Sequence, residues 1–155
     1  MSHAIKIYQT GGPDEMRWEP AEVGDPGPGE IRLRHSAVGL NFIDVYFRTG
    51  AYPSPQLPFT PGLEGAGTVE AIGEGVQGFA EGDRGAYAAH PLGAYAEGRL
   101  IPAEKLVHLP PDIQESTAAA MMLKGMTVQY LLRSTVPLKP KDTILFQAAA
   151  GGVGL

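Results

Sequence analysis

The stretch Thr143-Ile-Leu-Phe-Gln-Ala-Ala-Ala-Gly-Gly-Val-Gly-Leu155 decides how the whole chain is interpreted. Its short apolar run predicts a buried, parallel-type strand over residues 143–149, and the glycines that follow predict a tight turn into a helix. Glycines at such a turn let a pyrophosphate approach the backbone at a helix N-terminus, so this order is typical of a dinucleotide-binding unit. Ala149 stands where Gly-x-Gly-x-x-Gly has its first glycine, and an ordinary strand-to-helix turn stays open as the alternative.

A complete dinucleotide-binding unit needs more than this stretch contains. The helix, the next strand and an acidic residue roughly 20 positions further on all fall beyond residue 155. We therefore expect the 155 residues to be the N-terminal part of a longer polypeptide. We also expect them to bind a dinucleotide weakly or not at all on their own, because most of the adenosine contacts would be missing.

The composition is that of a globular protein with many turns, since 43% of the residues are hydrophobic and the chain has 21 glycines and 14 prolines. A net charge of −5 without a basic run argues against binding nucleic acid through its phosphates. The absence of cysteine excludes disulfides, thiol catalysis and cysteine-ligated zinc. The sequence contains no apolar run long enough to span a membrane and no signal-peptide core, so we expect a cytoplasmic protein.

Short alternating segments separated by glycine and proline turns predict a mainly β domain in the first 110 residues. Strands at this spacing are typical of an antiparallel barrel. The predicted strands cover residues 3–8, 16–23, 30–40, 64–76, about 84–89, 95–101 and 106–109.

Helical spacing appears in two places. Residues 41–49 predict a short helix that Asn41 caps and Gly50 ends, before a proline-rich loop over 51–62. Residues 116–122 and 125–134 predict two further helical segments, so we place a domain boundary near 120–125.

Three neutral polar residues flank the first helix and the proline-rich loop. Asn41, Tyr46 and Tyr52 can supply hydrogen bonds to a nicotinamide carboxamide, a phosphate or a carbonyl. Capping and aromatic packing are the alternative interpretation. Lys124, Thr127 and Tyr130 recur at helical spacing and predict a polar stripe near the boundary, with a solvated face as the alternative.

Several of these pieces occur together in the order of a known family. They are Gly39-Leu-Asn-Phe-Ile-Asp-Val-Tyr46, Arg48-Thr-Gly-Ala-Tyr-Pro53, Pro61-Gly-Leu-Glu-Gly-Ala-Gly-Thr-Val69, Gly82-Asp-Arg84, Leu123-Lys-Gly-Met-Thr127 and Ala148-Ala-Ala-Gly-Gly-Val-Gly154. The ordered set closely resembles the N-terminal half of bacterial NADPH:quinone oxidoreductases, in the zinc-free, zeta-crystallin-like branch of the medium-chain dehydrogenase/reductase superfamily. The resemblance covers essentially the whole chain.

The resemblance implies a GroES-like catalytic β domain over residues 1–124 and the first helix and strand of a truncated NADP-binding Rossmann domain over 125–155. It places NADPH in the cleft between the domains, with a set of residues on the nicotinamide side and a second set at the junction and glycine turn. The first set is Asn41, Phe42, Ile43, Asp44, Val45, Tyr46 and Tyr52. The second is Thr127, Tyr130, Gly152 and Val153.

The zinc-dependent branch of the same superfamily provides a test. It has a cysteine where this chain has Asn41 and a histidine where this chain has Leu63, before Glu64. Both metal ligands are therefore replaced, and none of the four histidines shows a metal-binding spacing. We expect no metal site, which argues against a Lewis-acid alcohol dehydrogenase mechanism.

The expected function is hydride transfer from NADPH to a quinone, with Asn41 and Tyr46 orienting the cofactor or acceptor and Tyr52 closing the pocket. An enone is a chemically similar acceptor, so an enone reductase stays open. A non-catalytic role is the third interpretation, as a GroES-like fragment, a crystallin-type protein or an RNA-binding protein. The homodimer that is usual in the family is not expected for these 155 residues, because its contacts lie largely in the missing domain.

Overall fold

The structure, a computed structural model, describes residues 2–53 and 56–155. The chain opens with a two-stranded antiparallel sheet of β1 (Ser2–Lys6) and β2 (Arg17–Ala21). Ile5 lies opposite Trp18 in this pair, and a short 3-10 turn over Pro13–Glu15 connects the strands.

The main sheet has five antiparallel strands in the order β6-β3-β4-β5-β7. They are β3 (Glu30–Gly39), β4 (Glu64–Ile72), β5 (Arg84–Ala88), β6 (Gly98–Pro102) and β7 (Val107–His108). The long strand β3 carries the alternation seen in the sequence, because Ile31 and Leu33 are fully buried whereas Arg34 is exposed. The sheet encloses a core of Ile31, Leu33, Val69, Tyr87, Ala94, Ile101 and Leu106.

Helix α1 (Phe42–Thr49) begins where β3 ends, because the residues there form a cap. The Asp44 carboxylate accepts a hydrogen bond of 2.9 Å from the Asn41 backbone N–H, and Asn41 itself has an extended backbone. Gly50 ends the helix with a φ of 79°, in the left-handed region that favours glycine. Phe47 fixes the helix by packing into a second core of Ile7, Phe47, Phe59 and Leu63.

Helix α2 (Glu115–Tyr130) lies across the main sheet through Ala118 and Ala119, and a π-helical turn over Leu131–Thr135 follows it. A Cβ atom on Gly39 would overlap both the Ala119 carbonyl oxygen and the Glu64 side chain. Glycine at this position therefore lets β3, β4 and the helix meet closely.

The β-rich domain predicted from the sequence is confirmed, with its strands divided between two sheets, each strand within a few residues of its prediction. The strand predicted over 95–101 begins later, at Gly98, since the Tyr95 carbonyl accepts a hydrogen bond from the Ile5 N–H of β1. The helix predicted over 41–49 is confirmed. Residues 54 and 55 of the predicted loop over 51–62 lie outside the described residues.

Two predictions near the C-terminus were wrong. Within the described part of the chain, residues 143–149 form no strand, and Leu145 is 92% exposed. A parallel-type strand forms only when neighbouring strands satisfy its N–H and C=O groups, and each described strand is paired elsewhere. The break predicted between the helical segments 116–122 and 125–134 is absent, because α2 continues from Glu115 to Tyr130 and the π-helical turn follows it directly.

Candidate cofactor and acceptor site

Glu64 connects the three elements that carry most of the predicted site residues. Its side chain is fully buried at the start of β4 and accepts three hydrogen bonds. The donors are the Asn41 Nδ2 amide at 2.7 Å, the Leu123 backbone N–H at 2.6 Å and the Lys124 Nζ ammonium at 3.2 Å. We call Glu64, Asn41, Leu123 and Lys124 the Glu64 cluster. A buried carboxylate is costly unless it is paired and hydrogen-bonded, and this cluster supplies both a cation and two N–H donors.

The Glu64 contact determines how Asn41 is oriented. An ionised carboxylate can only accept hydrogen bonds, so the amide nitrogen of Asn41 must face Glu64. The Asn41 side-chain oxygen therefore points away from Glu64, toward the Asp44 backbone N–H that it caps, and its second lone pair can accept a hydrogen bond from a ligand. Asn41 also borders a cavity of about 300 Å³, together with Leu40, Phe42 and Arg48.

Asp44 supports this arrangement from inside the domain. Its side chain is only 4% exposed, and its Oδ2 atom accepts hydrogen bonds from the Asn41 backbone N–H and the Tyr95 hydroxyl at 2.8 Å. Burial raises the pKa of the Asp44 carboxyl. Burial and the nearby Asp44 charge together raise the pKa of the Tyr95 hydroxyl. Among the predicted site residues, Asp44 thus holds the helix start rather than presenting its side chain to solvent.

Aromatic rings of α1 and of the neighbouring loops contact one another in a row. Phe42 meets the Tyr46 ring edge-on at 5.2 Å between centroids, and Tyr46 lies 4.9 Å from Tyr52. Phe47 lies 5.8 Å from Tyr52 on one side and 5.8 Å from His90 on the other. Phe42, Tyr46 and Tyr52 are 70%, 37% and 45% exposed, so their faces are open to a flat ligand.

His90 is the residue of this row that sequence reasoning missed. It stands alone in a loop after β5 and has no motif around it that would have identified it. Only the fold brings its ring against Phe47. His90 therefore joins Tyr46 and Tyr52 as a candidate for contact with an acceptor.

The residues predicted at the junction lie in different surroundings in the structure. The Thr127 hydroxyl donates to the Leu123 carbonyl at 2.7 Å, and Tyr130 is half exposed. The Val153 side chain instead borders a cavity of about 410 Å³ with Val128, Leu131 and other apolar residues.

The glycine turn makes its contact with the Glu64 cluster through Gly152. A Cβ atom on Gly152 would lie 2.7 Å from Cε of Lys124, so the lysine stem passes directly over the turn. Within the turn, the Gly151 N–H donates to the Ala148 carbonyl at 2.8 Å, and a Cβ atom on Gly154 would overlap Ala149. A side chain at Gly154 would therefore overlap backbone, whereas one at Gly152 would meet only the flexible lysine stem. A turn with little side-chain bulk is what a backbone cradle for phosphate groups requires.

Two features are absent from the described residues. Among them, no group of three or more His, Asp and Glu side chains is placed to hold a metal ion. No helix found in residues 2–53 and 56–155 has the length and apolarity needed to cross a membrane.

Comparison with solved structures and known proteins gives consistent results. The chain is 54% identical over all of its 155 residues to a quinone oxidoreductase of Pseudomonas aeruginosa, covering 48% of that protein. It is 48% identical over 99% of its length to a 2-haloacrylate reductase of Burkholderia, again covering 48% of that protein. The chain thus spans about half the length of these relatives.

Two solved structures superpose closely on the chain. A quinone oxidoreductase of Pseudomonas syringae pv. tomato matches with a TM-score of 0.97 and 51% identity, over 99% of this chain and 47% of that one. An Escherichia coli quinone oxidoreductase complexed with NADPH matches with a TM-score of 0.96 and 45% identity, over the same shares of the two chains. The family model described as the alcohol dehydrogenase GroES-like domain matches residues 27–111, and the chain belongs to this family.

Proposed function

We propose that the chain supplies the catalytic domain of an NADPH-dependent quinone reductase, in which a hydride passes from the reduced nicotinamide to a quinone without a metal. The observation that carries the proposal is the Asn41 amide, which Glu64 holds at 2.7 Å at the start of the helix that also carries the exposed Tyr46 ring. The 54% identity to a quinone oxidoreductase supports the same reaction class.

The residues present fit a nicotinamide dinucleotide at both ends of the site. We propose that Asn41 to Tyr46 hold the nicotinamide side, and that Thr127, Tyr130, Gly152 and Val153 contact the rest of the cofactor. The Lys124 side chain lies against Gly152 of the glycine turn, and the half-exposed Tyr130 ring is open for contact. When bound, the reduced nicotinamide supplies the hydride.

The protein's part in the reaction is orientation and exclusion of water. The Asn41 carbonyl oxygen can accept a hydrogen bond from a carboxamide, and the Tyr46 and Tyr52 rings can stack on a flat acceptor. Reduction of a quinone also consumes a proton, which solvent or the Tyr46 hydroxyl can deliver to the acceptor oxygen. A quinone is electron-poor enough to take a hydride without metal polarisation. The zinc ligands of the zinc-dependent branch are replaced here by Asn41 and Leu63.

A second acceptor class is supported by a specific relative. The 48% identity to a 2-haloacrylate reductase favours a conjugated carboxylate or enone, which accepts a hydride at carbon in the same way. The GroES-like scaffold and the cofactor side would be shared by both reactions, so the acceptor pocket is where the two functions differ.

We also propose the domain division behind this function. The catalytic domain covers residues 1–124, and residues 125–155 begin the NADP-binding domain. The Glu64 cluster lies where these segments meet, because Leu123 and Lys124 contact Glu64 on one side and Gly152 lies against Lys124 on the other. The proposed location is the cytoplasm, where NADPH is available to bacterial relatives of this kind.

The experiment is NADPH oxidation by the polypeptide as its source makes it, with benzoquinones, naphthoquinones, an alkyl vinyl ketone and a 2-haloacrylate as acceptors. We expect the quinones to have the highest kcat/KM. A preference for the enone or haloacrylate would assign the second acceptor class. No NADPH oxidation with any of the four would contradict the proposed function.

A further inference from the structure

The Glu64 side chain accepts three hydrogen bonds, and none of them is needed for the pairing of β4 in the sheet. As the first residue of β4 it pairs with Gly39 of β3 through the backbone, and an apolar side chain could fill the same space. Its carboxylate instead accepts donors from α2 and from Asn41, although no solvent reaches it. A buried carboxylate with these partners points to a task beyond packing.

We propose that Glu64 is a positioning residue, which holds the Asn41 amide in one orientation toward the nicotinamide and is linked through Lys124 to the glycine turn. This inference rests on the proposed function, because it assigns the cofactor-facing group to Asn41. Glu64 itself does not contact the cofactor. It acts by orienting Asn41, which does, and by holding Lys124.

The Asn41 side-chain amide can adopt two orientations, and Glu64 permits only one of them. An asparagine side chain can present either its carbonyl oxygen or its NH₂ group to a ligand, and the two orientations have nearly the same shape. The Nδ2···Oε1 contact of 2.7 Å with Glu64 is possible in only one of them. The carboxylate therefore selects the orientation in which the Asn41 oxygen caps the Asp44 N–H and keeps one lone pair for a ligand. A glutamine at position 64 has an NH₂ group of its own and would remove this selection.

Lys124 connects Glu64 to the glycine turn. The Lys124 ammonium lies 3.2 Å from Oε1 of Glu64, on the same oxygen that accepts from Asn41. The methylene groups of the same lysine occupy the space beside Gly152, with Cε and Cδ at 2.7 and 2.9 Å from an added Cβ. One carboxylate oxygen thus fixes both the amide at one end of the proposed cofactor site and the side chain that covers the turn.

The test is Glu64→Gln in the polypeptide as its source makes it, with Glu70→Gln as the matched control. Glu70 is on the same strand but is partly exposed and pairs with Arg34. The probes are reduced nicotinamide mononucleotide for one end of the cofactor site and 2′,5′-ADP for the other.

We expect E64Q to raise the Kd for the mononucleotide about tenfold, the loss of roughly one oriented hydrogen bond, and to raise the Kd for 2′,5′-ADP by a clearly smaller factor, through Lys124. E70Q should change neither. In an Asn41→Ala background, E64Q should add no further loss. Equal weakening of both probes, or a full additional loss in the Asn41→Ala background, would overturn the inference.

A second measurement does not depend on the cofactor. In ¹⁵N NMR spectra, the Asn41 side-chain NH₂ should be protected from exchange with solvent, and E64Q should remove most of that protection. An unprotected Asn41 NH₂ in the unsubstituted protein would overturn the inference. An Asn41 NH₂ whose protection depends on Glu64, in a protein that binds no mononucleotide, would instead sustain the positioning role and contradict the proposed function.

Lys124→Met covers the case in which E64Q fails to fold, because it keeps the lysine stem and removes only the ammonium. We expect it to shift the signals of both the Asn41 side chain and the Gly152 backbone amide. Signals that stay in place at both residues would contradict the link through Lys124.

Discussion

The Glu64 cluster and the C-terminal segment 136–155 contain equally distinctive sequence motifs, yet only the first is tightly packed. Glu64 is completely buried with three hydrogen-bond donors, whereas Leu145 and Leu155 are 92% and 97% exposed. The two regions differ in whether neighbouring strands supply hydrogen-bond partners for their backbone N–H and C=O groups. Strands β3 to β7 satisfy one another within the described residues, but residues 143–149 have the composition of a buried strand without a neighbour to pair with.

The strongest test of this contrast compares two glycines. Gly39→Ala should destabilise the protein by about 3 kcal/mol or more, because the new methyl group would overlap backbone of α2 and the buried Glu64. Gly152→Ala should cost less than about 1 kcal/mol, since the neighbouring atoms are the flexible methylenes of Lys124. Urea unfolding followed by circular dichroism measures both, and similar costs for the two variants would contradict the contrast.

A pair of leucines gives the next largest difference. Leu33→Ala should lower the free energy of unfolding by about 3 kcal/mol, because Leu33 is fully buried in the core of the main sheet. Leu145→Ala should change it by less than about 0.5 kcal/mol. The single tryptophan, Trp18, provides an independent fluorescence signal for both unfolding curves. A large loss for Leu145→Ala would show that residues 143–149 are packed after all.

Acid should weaken the β domain through His35. Its Nδ1–H donates to the Ala96 carbonyl at 2.7 Å, so Nε2 is the acceptor for the Tyr87 hydroxyl at 2.9 Å. Burial lowers the pKa of His35 to about 4 from its usual 6.5. The unfolded chain thus takes up the proton first, and the stabilisation present above pH 6.5 is lost as the pH falls toward 4, by about 3 kcal/mol in all.

His108 is the matched control for the acid effect, because it is exposed and its ring stacks on Phe79 at the domain surface. His35→Gln should flatten the pH dependence of unfolding between pH 6.5 and 4, and His108→Gln should leave it unchanged. An unaltered slope in His35→Gln would show that another group causes the acid loss.

The smallest effect on stability is expected at the aromatic row. The Tyr46 side chain is 37% exposed, so Tyr46→Phe should shift the unfolding free energy by less than about 0.5 kcal/mol. Under the proposed function it should lower kcat/KM for a quinone by up to about tenfold, the value of one hydrogen bond. Phe79→Leu, at a ring away from the row, is the kinetic control. A Tyr46→Phe variant with unchanged kcat/KM would remove the hydroxyl from the mechanism.

Local patterns predicted much of the fold. The alternation in β3 and the Asn41 to Gly50 helix were predicted correctly because each depends on residues close in sequence. The prediction of a strand over 143–149 was wrong because strand pairing depends on residues distant in sequence, which a local apolar run does not reveal. For the site, the motifs predicted Asn41, Tyr46 and Tyr52, which stay predictions, and they indicated neither the partners of Glu64 nor the position of His90. Glu64 meets Leu123 and Lys124 across about 60 positions of sequence, and only the packing of α2 on the sheet brings them together.

The most direct test of the central claim is a crystal structure of the polypeptide, as its source makes it, with bound NADPH. We expect the nicotinamide within hydrogen-bond distance of the Asn41 side chain, with Asn41 Nδ2 still on Glu64 and the reactive face of the ring toward Tyr46 and Tyr52. A nicotinamide bound away from Asn41, or an Asn41 amide turned off Glu64 in the complex, would contradict it.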